Sequence, residues 1–169
     1  MAKGKKQITP IIIIVVLLVI AGVLFISEKR KADEMRANIP DSEKFENQVK
    51  DIFGIPESHD DSGISSIQYG GESSVITYKF YPAGFADFNK ELGVELSDKI
   101  EKLYEKESLA NEIVFKINCP YEDDYGNVKW LPVVTFEFDR NLNNRINWSN
   151  FLSTNLLEVV KNINWLREQ

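Results

Sequence analysis

Cysteine and histidine each occur once in the 169 residues, and tryptophan three times. A single cysteine, Cys119, excludes an intramolecular disulfide, and it sits far from the N-terminal region where a lipoprotein box would need one. A single histidine, His59, gives little support to a zinc site, which needs three or four converging ligands. No Gly-x-Ser-x-Gly elbow, phosphate-binding loop, Cys-x-x-Cys or His-Glu-x-x-His occurs. No cofactor is implied, and no catalytic constellation is visible. Positive charge is scarce as well. Past the first 36 residues the chain carries 13 Lys and Arg against 23 Asp and Glu, a net charge near −10. Such a surface repels nucleic acid and other polyanions and favours basic partners.

One long apolar run is present. Met1 to Lys6 is a basic leader, and Ile8–Ile26 follows without a charge. A helix of that length spans roughly 28 Å, close to the hydrocarbon thickness of a bilayer. Fifteen of its 19 residues are Ile, Val, Leu or Phe. No small-x-small cleavage site follows it. Residues 1–7, 8–26, 27–40 and 41–169 are therefore expected to be leader, transmembrane signal anchor, charged juxtamembrane stalk and globular domain. Ile8–Ile26 makes the bilayer a partner, and Lys29, Arg30 and Lys31 flank it as basic interfacial residues. The leader-then-apolar order places the N-terminus in the cytoplasm and the domain outside.

Periodicity divides the rest. Phe45, Val49 and Ile52 form one stripe of a helix from Asp41 or Ser42 to Phe53, stopped by Gly54 and Pro56. Two alternating strands follow, joined at Gly70 and Gly71. Phe85, Phe88, Leu92, Leu96, Ile100 and Leu103 mark a second helix over residues 85–106, with Gly93 as a weak point. Ile113, Phe115 and Ile117 line a third strand. Residues 120–127 read as a polar loop. Trp130, Val134, Phe136 and Phe138 line one face of a fourth strand, which Pro132 restricts to an edge or a bulge. Residues 140–147 read as a polar connection. Leu152, Leu156, Val159, Ile163 and Leu166, spaced 4, 3, 4 and 3, predict a closing helix.

The expected fold is α+β, an α-ββ-α-ββ-α domain with a four-stranded antiparallel sheet and helices on one face. This order is similar to the α-ββ doublets of ferredoxin-like domains in single-pass envelope-assembly proteins, a likeness of topology alone. The expected function is that of a non-enzymatic anchored protein of a bacterial envelope, whose domain contacts a protein partner. The alternative is a small-ligand or cation sensor, with a pocket lined by Tyr69, Tyr78 and Trp130. Trp130 is one candidate contact residue. Tyr121, Tyr125 and Trp165 are the others, because they lie off the predicted stripes. Two acidic stretches, Glu57 to Asp61 around His59 and Glu122 to Asp124, are candidate cation loops; neither matches an EF-hand.

Overall fold

The computed structural model describes residues 24–29, 39–56, 61–84, 86–105 and 110–166. The chain divides between Pro40 and Asp41 into two units. Residues 24–29 are helical. The rest of the expected anchor, with Arg30, Lys31 and the His59 stretch up to Asp60, lies outside the described residues. Among the described residues no helix is long and apolar enough to cross a membrane.

The second unit is α+β. Helix α1 spans Asp41–Phe53 and buries Phe45, Val49 and Phe53. Asp41 and Glu43 in its first turn and Lys50 in its last complement the helix dipole. Gly54 then takes a left-handed conformation (φ 77°) and donates its N–H to the Lys50 carbonyl at 3.0 Å, which ends the helix. Strands β1 (Gly63–Gln68) and β2 (Ser73–Lys79) form an antiparallel hairpin that turns at Gly71, φ 73°. Helix α2, Phe88–Glu105, carries the chain back, and β3 (Glu112–Glu122) lies parallel to β2. Strand β4 (Val128–Asp139) returns antiparallel to β3.

Here the structure departs from the expected all-antiparallel sheet. A helix between two neighbouring strands returns the chain to the end where the first strand began, so the pair must run parallel. The sheet also has five strands, ordered β1-β2-β3-β4-β5. The fifth, β5 (Lys161–Trp165), replaces the predicted closing helix. Residues 140–166 break into α3 (Arg140–Arg145), 3₁₀ turns at Trp148–Asn150 and Ser153–Asn155, a single helical turn α4 (Leu156–Val159), and β5. Ser, Thr and Asn fill the spaces between the apolar residues, and their short side chains compete with helical backbone bonds. Asn162 adopts a positive φ of 49° inside the stretch. Of the predicted stripe only Leu156 is fully buried, and Leu152 is 67% exposed.

The helices cover one face. Ile76, Phe115 and Phe136 stand in register across β2, β3 and β4. Tyr78, Ile117, Val134 and Trp165 form the next row, reaching β5. Phe53 of α1 packs against Tyr78 and Phe115 at ring-centroid distances of 6.0 and 5.9 Å. Glu95 of α2 accepts from the Tyr78 hydroxyl and pairs with Lys99. Tyr104 of α2 donates to the Phe138 carbonyl at 2.8 Å. The helix is continuous through Gly93, and its backbone there lies against Ser153. A Cβ on Gly93 would stand 2.3 Å from the Ser153 carbonyl oxygen.

Candidate functional site

Strands β3 and β4 outrun their neighbours. Strand β2 stops opposite Asn118, and β5 stops opposite Val134. Residues 119–122 and 128–131 therefore pair only with each other, as a two-stranded ribbon beyond the sheet. The expected polar loop over 120–127 is shorter than predicted, since residues 120–122 extend β3 and only residues 123–127 turn.

Asp123 builds that turn. Its Oδ1 accepts from the backbone N–H groups of Tyr125 (3.0 Å) and Asn127 (2.9 Å) and from Asn127 Nδ2 (3.1 Å). These bonds, the Asn127 N–H foremost, hold its carboxyl below the usual aspartate value. Lys129 stands 3.8 Å from Asp123 Oδ2. The carboxylate at the centre of the Glu122–Asp124 stretch is thus engaged in closing the hairpin. Among the described residues no group of three or more His, Cys, Asp or Glu side chains converges as metal ligands.

A bulge sets the direction of Trp130. The register slips between Ile117 and Asn118, so Val133 is an extra residue on β4. One extra residue reverses the alternation beyond it. Trp130 consequently pairs with Pro120 and leaves the face of Val134, Phe136 and Phe138, contrary to the sequence pattern. It lies on the uncovered face, with the Lys79 ammonium 4.9 Å above its ring and Tyr81 edge-on at 6.4 Å. Pro132, expected at an edge or a bulge, stands at this bulge.

Beside it runs a groove of about 390 Å³. Tyr81, Pro82 and Gly84 form one wall, from the connection between β2 and α2. Pro120, Glu122 and Val128 form the other, from the ribbon. The first wall is pinned at two points. The Tyr81 N–H donates to Ser62 Oγ at 3.0 Å, and the Ala83 N–H to Glu91 Oε2 at 2.7 Å. Tyr81 and Tyr121 are about half exposed, at 54% and 51%, and Tyr125 at the tip is 90% exposed.

Three of the four candidate contact residues thus belong to one ribbon, Trp130 on its open face with Pro120, Tyr121 on the other face with Lys129, and Tyr125 at the tip. Trp165 does not join them. It stands in the Val134 row on the covered face, 6.0 Å from the Phe88 ring, and lines a separate groove with Asn89, Leu157 and Ile163. The expected Tyr69–Tyr78–Trp130 pocket does not form. Tyr78 is buried under the helices, Tyr69 packs on Phe45, and Trp130 is on the opposite face. Tyr81, Pro120 and Val128 escaped the sequence reading, since Pro120 fell in the expected polar loop and Tyr81 and Val128 were assigned to no element. Pro82, which ends the second strand, was the available signal for a wall there. Cys119 is buried, and burial pushes its thiol up to about 12, so it offers no thiolate at neutral pH.

Comparison with protein-family models, with curated proteins and with solved structures returned no match.

Proposed function

We propose that this chain is a single-pass membrane-anchored protein, non-enzymatic, whose acidic α+β domain contacts a protein partner outside the cytoplasmic membrane of a bacterium. Ile8–Ile26 supplies the anchor and the basic leader the orientation. The observation that carries the contact reading is the projecting ribbon with exposed Tyr121 and Tyr125 and the Tyr81–Trp130 pair at its base. Exposed tyrosine and tryptophan are enriched at the centres of protein interfaces.

Two measurements test it. Protease added to intact cells removes a C-terminal tag if the domain is outside; full protection reverses the orientation. A photocrosslinking residue in place of Tyr125 captures a discrete envelope protein, and the same residue at exposed Asp98 on α2 does not. Equal capture from both positions, or none from either, overturns the contact reading.

A further inference from the structure

We propose that the groove between Tyr81 and the β3–β4 ribbon docks a basic, extended segment of the protein partner. The inference rests on the contact reading above and names the chemistry of what is bound.

Shape selects a segment. The groove opens to solvent, so it would enclose a small molecule only in part, whereas ligand pockets enclose most of their ligand. Tyr81, Pro120 and Val128 offer ring and aliphatic surface of the kind that receives extended or proline-rich chains. Pro120 and Glu122 are two residues apart on one strand and face the same way. Their spacing, about 6.6 Å, is also the spacing of alternate side chains in an extended segment. An apolar residue laid between Tyr81 and Pro120 therefore puts the side chain two positions along against Glu122.

Charge selects the sign. Neither nearby lysine lines the groove: Lys79 lies above the Trp130 ring, and Lys129 stands beside Asp123. Glu122 is the charged side chain in the groove wall, and exposed Asp124 lies on the adjoining turn. The domain's net charge near −10 adds a long-range field of the same sign. A basic segment is drawn in, and an acidic one is rejected. The pattern read by the groove is thus apolar-x-basic.

The test pans the full-length protein, in lipid nanodiscs, against a displayed library of random twelve-residue peptides. Enriched peptides are expected to carry Lys or Arg two positions from Pro or a large apolar residue. The best synthetic peptide should bind at least tenfold more weakly to Glu122→Lys and to Tyr81→Ala, with unfolding temperatures unchanged. Replacing its basic residue by Glu should restore binding to Glu122→Lys. Enrichment without a basic bias, or an affinity indifferent to Glu122→Lys, overturns the inference. If the Tyr125 crosslinker captures an envelope protein in cells and Glu122→Lys leaves that yield unchanged, the contact reading stands and the basic segment falls. If panning and crosslinking both return nothing, both fall.

Discussion

The two faces of the sheet are built from the same strands, yet they do opposite things. On the covered face the rows read Ile76–Phe115–Phe136 and Tyr78–Ile117–Val134–Trp165. On the open face the row between them reads Ser66–Thr77–Lys116–Thr135–Asn164, one polar residue from every strand. Ser66 donates to Thr77 Oγ1 at 2.9 Å within it. Moving one residue along a strand thus exchanges a packed aromatic for a solvated polar side chain. Stability is concentrated on one side, and the other side, with its projecting ribbon, is left to solvent or to partners.

The sharpest test of that division is Phe115→Ala. The Phe115 ring stacks on Phe136 with centroids 5.2 Å apart and touches Phe53 of α1. Its removal takes surface from both the sheet and the helix layer. A loss of about 3–5 kcal/mol is expected in urea unfolding, a large share of the roughly 5–15 kcal/mol that holds a domain together. A loss below about 2 kcal/mol would mean that the layer collapses into the space, and that the covered face is less closely packed than it looks.

Gly93→Ala comes next. An exposed helical glycine gains on becoming alanine, because alanine favours the helix by about 1 kcal/mol. Here the added methyl would meet the Ser153 carbonyl, so the sign reverses. Overpacking of this kind costs about 1–3 kcal/mol. A rise in unfolding temperature for the variant would show that the Ser153 segment yields easily and contributes little to the covered side.

Gly93 also shows where the sequence stops being legible. Its place in the helix could be read from the stripe around it, but the backbone that presses on it is 60 residues away in the chain. Local periods found α1, the β1–β2 hairpin, α2 and the cores of β3 and β4, because in each the apolar residues keep one period. They failed after Asp139. There a heptad-like spacing of Leu, Val and Ile was outweighed by intervening Asn, Ser and Thr, and five residues, Lys161–Trp165, went to pairing with β4. They also misplaced Trp130, since a bulge is a property of two strands and only Pro132 hinted at it. The aromatic ribbon was partly legible as residues off the stripes. Its groove was not, because the Tyr81 wall comes from a connection with no period at all.

A smaller effect is expected at the junction of β4 and α3. Asp139 caps α3 by accepting from the Leu142 N–H at 2.7 Å, and it pairs with Lys161 of β5. Burial alone would raise its carboxyl, but Lys161, the Leu142 N–H and the charge of Arg145 together hold it below the usual aspartate value. A group depressed in the folded state contributes stability above its unfolded value and loses it as pH falls through the folded one. The contribution is therefore complete at neutral pH and declines below about pH 4, from the ordinary aspartate value downward. Asp139→Ala should cost about 1 kcal/mol at pH 7. Asp139→Asn keeps a capping oxygen and should flatten the acid limb of the stability profile. An unchanged acid limb would assign the pairing of β5 with β4 to backbone bonds alone.

The smallest effect should be at Lys116, in the middle of the open face. Its side chain is exposed, flanked by Thr77 and Thr135 across the strands, with half-buried Val114 two residues away on the same face. Nothing on that face closes over it among the described residues. Lys116→Ala should move the unfolding free energy by no more than about 0.5 kcal/mol. Lys116→Val should hold or gain a few tenths, since a β-branched residue suits a pleated surface. It would also join Val114 and its neighbour Val75 into a larger apolar patch, so concentration-dependent self-association is the expected cost. Sedimentation of the valine variant measures that cost directly. A loss of stability above about 1 kcal/mol in the alanine variant would mean that the open face packs against another part of the chain. The polar row would then be an internal surface, and the contrast between the faces would no longer hold.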